Sequence, residues 1–346
     1  MVKTQFLKLP RRLYSKTTYV QNIHLEKQIL TGSHILSKYF SVIPIVVLNE
    51  HKTAVSRCAL TLYTADPAAY IGFFESVNDR EVTALLFEIA EKLAKQNGKT
   101  KLAGPLNASF WIGYRLKTNK FDSVYTSEPY NKEYYPELWK SAGFGITNRY
   151  YSNALRTPKE TDQSMKCRQR LQMVKDSGYE IQSPTKQTFS RNLKEIYQLL
   201  IQIYSKFPMF KKVEEDEFCQ LFQNLKFILD FDFVKLIYKE KKLTGFFISV
   251  PDYKNLTHQK ITIKSLLKIL RIKNSGPQKY VLLYMGIDPK HPGLGAAMAE
   301  LIKQELVKKH ACSIGALFHE GKISGKYYKE LAVDRYEYVL FGKDIL

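Results

Sequence analysis

Residues 280–310, YVLLYMGIDPKHPGLGAAMAELIKQELVKKH, constrain this chain most. Residues 280–285 form an apolar run rich in strand formers and long enough for a buried strand. The sequence Gly286-Ile287-Asp288-Pro289 then enters a loop over 290–297, whose last five residues include two glycines and two alanines. Beyond it, Leu294, Met298, Leu301, Ile302 and Leu306 fall on one face of an amphipathic helix, with Lys303, Lys308 and Lys309 elsewhere. A strand, a glycine loop and a helix N-terminus in that order make an anion site. The first helical N–H groups lack intrahelical partners, and small residues let a phosphate approach the backbone. An ordinary glycine-rich strand–helix connection is the competing reading.

Two familiar phosphate loops do not fit. Neither Lys nor Ser/Thr follows Gly295, so there is no GxxxxGK[ST]. Met298 stands where a dinucleotide fingerprint needs a third small residue. What remains, Lys290-x-x-Gly293-x-Gly295 after Ile-Asp-Pro, resembles the acetyl-CoA loop of the GNAT superfamily of N-acetyltransferases. That loop usually opens with Gln or Arg, so Lys290 is a departure, though a cationic one. The resemblance implies that acetyl-CoA or a longer acyl-CoA is held by Met285, Gly286, Ile287, Lys290, His291, Pro292, Gly293, Leu294, Gly295, Ala296 and Ala297.

A chain of 346 residues is more than twice the usual single-domain length, so two domains are expected. No stretch approaches the roughly 18 apolar residues of a spanning helix, and residues 1–14 carry no secretory pattern. Four cysteines lie without CxxC or Cys/His ligand spacing, which argues against a disulfide framework and against zinc. The expected address is the cytoplasm, peripheral to the inner membrane surface if lipid is involved, and no metal is expected. Net charge is +20. Residues 1–160 carry 22 Lys/Arg against 13 Asp/Glu and the remainder 31 against 20, so the excess is not a basic tail. Such a field suits a polyphosphate, an anionic membrane or nucleic acid. The missing zinc knuckle, RNP-type motif and dense arginine run weigh against nucleic acid.

Along the chain the pattern predicts a strand over 4–9, a helix over about 20–29, and strands over 43–48, 54–63 and 70–75. A helix follows, capped by Asn78 with Glu81 three residues on, buried through Val82, Leu85, Leu86, Ile89 and Leu93, and ended by Gly98. Strands near 101–103 and 149–154 flank an aromatic region and a helix through Lys140. Residues 156–178 are polar and read as a linker with a helix over about 161–175. Then come a strand over 179–182, helices over 192–204 and 214–225, strands over 231–238 and 245–250, and an insertion, 251–278. After the strand, loop and helix already described, a strand over 312–317, a helix over 324–331 and a strand over 336–341 close the chain. The halves share one order of elements, an internal duplication by pattern. The expected architecture is α/β with mixed sheets in two tandem GNAT-like domains: 1–157, a linker helix over 158–177, and 178–346.

A second motif strengthens the resemblance. GNAT proteins often carry Leu-Tyr-x-x-x-Gly-Phe, whose Tyr protonates the departing thiolate of CoA. The first half matches with Leu138-Trp139-Lys140-Ser141-Ala142-Gly143-Phe144, where Trp replaces the Tyr. The second reads Tyr327-Tyr328-Lys329-Glu330-Leu331-Ala332-Val333, which makes Tyr328 the implied acid, with Tyr327 the alternative if the register slips by one. The first half also has no glycine pair after Glu75-Ser76-Val77-Asn78, so a single cofactor site, in the second half, is expected. Phe6-x-x-Leu9-Pro10, Gly72-Phe73-Phe74-Glu75, Gly104-Pro105-Leu106-Asn107, Pro129-Tyr130-Asn131 and Pro251-Asp252-Tyr253 together resemble a bacterial tandem-GNAT family similar to bacterial ceramide synthases. Tyr19-Val20-Gln21 and Lys254 depart from that pattern.

The resemblance implies an acyl-CoA-dependent N-acyltransferase whose acceptor is an amine, with a long-chain or sphingoid-type lipid amine as the narrower expectation. Backbone N–H groups of 285–287 would polarise the thioester carbonyl. A non-catalytic acyl-CoA-binding or membrane-docking protein of the same fold is the alternative; aminoacyl-tRNA-dependent transfer is a third. For Asp252, Tyr253, Asn107, Tyr130 and Asn131, turn chemistry competes with a place in an acceptor cleft. Within the insertion, Lys260, Lys264, Lys268 and Arg271 align on one side of a helix and Ile263, Leu266, Leu267 and Leu270 on another. That suits an anionic membrane surface, a lid over a lipid substrate, or a packed helix with a solvated basic face.

Overall fold

Residues 4–9, expected as a strand, lie instead in a helix, α1 (Val2–Leu13), with Pro10 inside it. Phe6 and Leu9 recur at helical spacing and are buried. Proline has no N–H to give the carbonyl four residues back. The freed Phe6 carbonyl accepts Arg57 Nη1 at 2.7 Å, and the same guanidinium pairs with Glu26 at 2.7 and 3.0 Å. The structure is a computed structural model. It describes residues 2–162, 164–205 and 207–345, without the side chains of Ile323 and Ser324.

The first half continues with α2 (Ile23–Thr31), β1 (Ser41–Leu48), β2 (Ala54–Leu62), β3 (Ala68–Ser76) and α3 (Arg80–Gln96). After these come β4 (Lys101–Gly104), the short β5 (Leu116–Lys117), α4 (Tyr135–Ser141) and β6 (Gly145–Leu155). The second half holds α5 (Met165–Asp176), β7 (Tyr179–Gln182), α6 (Phe189–Tyr204), α7 (Glu215–Phe222), β8 (Val234–Lys239) and β9 (Lys242–Pro251). It ends with α8 (Ile263–Asn274), β10 (Lys279–Ile287), α9 (Leu294–Lys308), β11 (Cys312–His319) and β12 (Ala332–Asp344).

These elements pack as two units that do not follow chain order. One comprises Met1–Tyr150, Lys254–Ile261 and Tyr336–Leu346; the other comprises Tyr151–Tyr253 and Thr262–Arg335. In the first, β1, β2 and β3 form an antiparallel meander, and β3 runs parallel to β4. The last strand, expected to close the second module, pairs here: β12 is antiparallel to β4 with Phe341 opposite Gly104. Its apolar residues Val339 and Phe341, with Ile345 just past its end, decide this by burying with Leu102 and Trp139. Helix α3 is capped by Asp79, not Asn78, and buries Leu86, Phe87 and Ala90, while Leu85 is exposed.

In the second unit β7, β8, β9 and β10 are antiparallel, and β10 runs parallel to β11. Helix α9 lays Leu294, Met298, Ile302 and Leu306 against Phe233, Ile237 and Phe247 of this unit. Its opposite side is covered by α5, through Cys167, Leu171 and Val174. The stretch expected as a linker helix is therefore part of the core. The helix expected over 324–331 is replaced by two single 3₁₀ turns, Ile323–Lys326 and Lys329–Leu331. Tyr328 between them adopts φ +50°, a left-handed conformation that a helix cannot absorb.

Both Arg57 and Glu26 are almost fully buried. Glu26→Ala leaves the buried guanidinium with only the more distant Glu75 carboxylate, 4.0 Å away, and is expected to cost about 3 kcal/mol in urea unfolding.

Candidate functional site

Strands β10 and β11 pair only over 279–282 and 312–315. Beyond Leu282, β10 continues along β9 to Ile287, with its register shifted between Leu282 and Tyr284. Leu283 is thus a bulge, which bends the strand. A cavity of ≈ 310 Å³ fills the opening, lined by 282–285 of β10, 315–319 of β11, Ala299 and Ile302 of α9, and Tyr327 and Tyr328. Ile203, Phe207 and Phe247 make its walls largely apolar. The backbone groups of β10 that would have met β11 face this slot.

Past Ile287 the chain turns on Asp288, which is buried. Its carboxylate accepts Lys290 N at 3.0 Å and its carbonyl accepts His291 N at 2.9 Å. The His291 ring is held by the Tyr179 hydroxyl, 2.8 Å from Nδ1. Gly293, at φ +95°, is the N-cap of α9, and among the described residues no side chain caps that helix. Its hydrogen bonding begins with Ala296 N and Ala297 N to Gly293 O, so the Leu294 and Gly295 N–H groups lie ahead of the first intrahelical acceptor. The corresponding helix of the first unit differs. There Asp79 Oδ1 accepts Glu81 N at 2.9 Å and Val82 N at 3.1 Å, so the protein's own carboxylate occupies the anion position.

The expected site residues divide by what they touch. Met285 lines the cavity, and Lys290 and Pro292 are exposed. A Cβ on Gly286 would strike the Phe246 ring and Ile203 Cδ1, so packing demands glycine there. Ile287, Leu294 and Ala297 join the core beside Met298. Ala296 packs with Ala299 and Cys167. Arg170 of α5 lies across Gly293, its Cδ 3.0 Å from where a Cβ would stand, and the Tyr327 hydroxyl is 2.6 Å from the equivalent point on Gly295. The small residues thus serve the approach of α5 and Tyr327 as well as the open helix end.

Tyr328 is buried, and its hydroxyl donates to Glu300 Oε2. Glu300 also takes Lys303 Nζ at 3.0 Å. Burial first, then the Glu300 carboxylate, pushes the Tyr328 hydroxyl well above the usual tyrosine range. Tyr327 is raised too, mainly by burial. The pattern did not single out Arg170, Tyr179, Cys167 or Glu300. The i, i+4, i+7 spacing of Cys167, Leu171 and Val174 carries α5's buried face, but ten polar or charged neighbours in residues 159–170 mask it.

The other motif residues make hydrogen bonds to the protein's own backbone. Asn107 accepts Phe73 N at 2.7 Å, Asn131 brackets Lys117 N and O at 2.6 and 3.1 Å, and Tyr130 donates to the Phe121 carbonyl. Tyr253 donates to Ile228 O at 2.6 Å. Trp139, where the first half lacks the Tyr, is buried among Phe74, Phe87, Phe144 and Phe341.

No protein-family model matches the chain, and no curated protein matches it. Solved structures do. A tandem GNAT protein from the clavulanic acid biosynthesis pathway, solved without AcCoA, superposes with a TM-score of 0.56 at 12% identity, over 100% of this chain and 95% of that one. A GCN5-related N-acetyltransferase from Anabaena variabilis gives 0.51 at 8% identity, over 100% and 70%. The glucosamine N-acetyltransferase region of a fungal multi-domain GH3 beta-N-acetylglucosaminidase gives 0.52 at 10%, over 99% of this chain and 37% of that one. At such identities the likeness establishes the fold: a mixed α/β GNAT fold. More particularly, the clavulanic-pathway protein, a tandem GNAT, is matched along the whole of this chain.

Tyr328→Phe strips a buried carboxylate of a hydrogen-bond donor, and urea unfolding is expected to show a loss of about 1–3 kcal/mol.

Proposed function

We propose that the second unit binds an acyl-CoA and that the chain transfers its acyl group to an amine. The observation that carries this reading is the uncapped N-terminus of α9, whose Gly295 meets the hydroxyl of Tyr327 in the lining of the apolar slot, set against the carboxylate-capped α3 of the first unit. The residues fit the ligand. The Leu294 and Gly295 N–H groups, with Lys290 and Arg170 beside them, suit the pyrophosphate, and the apolar slot suits the pantetheine arm and acyl chain. When bound, acyl-CoA supplies the thioester whose acyl group is transferred.

The chain's own groups would do the rest. N–H groups of β10 around Met285 that face the slot would hydrogen-bond the thioester oxygen, and the apolar walls would exclude water. Tyr327 is proposed as the proton donor to the leaving thiolate in preference to Tyr328, whose hydroxyl already donates to Glu300. The acceptor is proposed to be an amine on an apolar molecule, a long-chain amine first, because the cavity lining is apolar. Lys290 and His291 belong to this reading as the rim of the pyrophosphate site.

Calorimetric titration with acetyl-CoA and a long-chain acyl-CoA is expected to show binding that Gly293→Glu with Gly295→Glu abolishes. No binding by the folded wild type would sink the assignment. In steady-state assays Tyr327→Phe is expected to lower kcat about 100-fold or more with KM for acyl-CoA little changed. Unchanged turnover in Tyr327→Phe would remove it as donor, and absence of turnover with any amine by an acyl-CoA-binding wild type would leave the binding-only reading. Because burial raises the Tyr327 hydroxyl above its usual value near 10, it stays protonated with rising pH. The kcat profile is therefore expected to hold up to about pH 9.5, and a basic limb near 8 would assign the proton to another group.

A further inference from the structure

Helix α8 buries only one edge. Ile269 is fully buried and Leu266 and Ile272 are partly so, whereas Ile263, Leu267 and Leu270 are 82, 63 and 37% exposed. Spaced i, i+4, i+7, these three form one outward stripe along about 10 Å of helix. Lys264, Lys268 and Arg271 form a second stripe, about 100° round the helix and also exposed. Residues 260–279 hold six Lys/Arg and no Asp or Glu. The patch has a second part in the same unit. Phe227 is 43% exposed, with Lys186 and Lys226 at 5.0 and 5.5 Å from its ring centroid. Lys186 is also close enough to Lys273 of α8 to add to the burial that lowers its pKa, against Asp230, which raises it.

We propose that this face of the second unit, the Ile263–Leu267–Leu270 stripe with its flanking cations and the Phe227 corner, docks on the surface of an anionic lipid bilayer. Aliphatic side chains on a short helix with a parallel row of cations match an interface in which acyl chains lie beneath negative headgroups. The complementary charge comes from the patch itself and from a chain of net charge +20. Among the described residues no helix is long and apolar enough to cross a membrane, so the contact is peripheral. It is independent of acyl transfer: the helix lines no part of the cavity.

Flotation of the full chain with phosphatidylcholine vesicles, with or without about one-third phosphatidylglycerol, tests this. Partition is expected on the anionic vesicles only and should weaken as salt is raised. Ile263→Glu with Leu267→Glu, and separately Lys264→Glu with Lys268→Glu, should each lower it at least ~10-fold. Unchanged melting temperatures would show both variants folded, since all four side chains face solvent. Absence of partition, equal partition on neutral vesicles, or partition indifferent to both pairs of substitutions would overturn the proposal. So would a lipid-free, concentration-dependent dimer that Ile263→Glu with Leu267→Glu dissolves, because a second copy would then cover the stripe. Polyglutamate that binds as tightly as the anionic vesicles would assign the patch to an acidic protein instead.

Discussion

The separation of β10 from β11 after four paired residues is the constraint on which the second unit's site depends. A parallel pair that ran on would satisfy its backbone groups and leave no room for a ligand. Here the bulge at Leu283 turns β10 away while β9 keeps its other edge bonded as far as Ile287. One side of the strand stays a rigid ladder, and the other opens on a slot. The same departure delivers the chain through the Asp288 turn to Gly293, so slot and helix N-terminus follow from one bend.

Helix α9 answers to two sets of neighbours. Its large residues meet the sheet, and its small ones admit α5 and Tyr327. Gly293 is needed for its backbone, at φ +95°, and Gly295 for the room it gives the Tyr327 hydroxyl. The loop's composition is therefore over-determined. Close helix packing alone would favour much of it, whereas the uncapped N–H groups and the open slot are not explained by packing.

The first unit also runs a three-strand meander, β1–β3, into a long helix, α3, but there the helix end is closed. Asp79 caps α3, Trp139 is buried among aromatic rings, and buried polar groups pair with one another. Arg57 ties α1 to α2 through the Phe6 carbonyl and Glu26. Tyr135 donates to Glu75 at 2.7 Å, and burial pushes that carboxyl up to about 7. Lys117 and Glu128, 2.7 Å apart and both fully buried, are bound in with Tyr338. Removing one partner of the Lys117–Glu128 pair would strand a charge in the core, which restrains this unit from changing.

The amino-acid sequence by itself determined the order of strands and helices between β1 and β11, the glycine loop before α9, and the lack of such a loop before α3. These follow from periodicity and from glycine and proline, which act within a few residues. It misled where a local pattern served a distant partner. The stretch 4–9 became a helix whose Pro10 vacancy Arg57 fills, and a largely polar stretch, 165–175, covers α9. Only the tertiary structure decided that β12 joins the first unit, that β10 leaves β11, and that Glu300 holds the Tyr328 hydroxyl while Tyr327 meets Gly295. Each of those outcomes is a contest between partners far apart in the chain, settled by burial and hydrogen-bond satisfaction, and no local pattern records the winner.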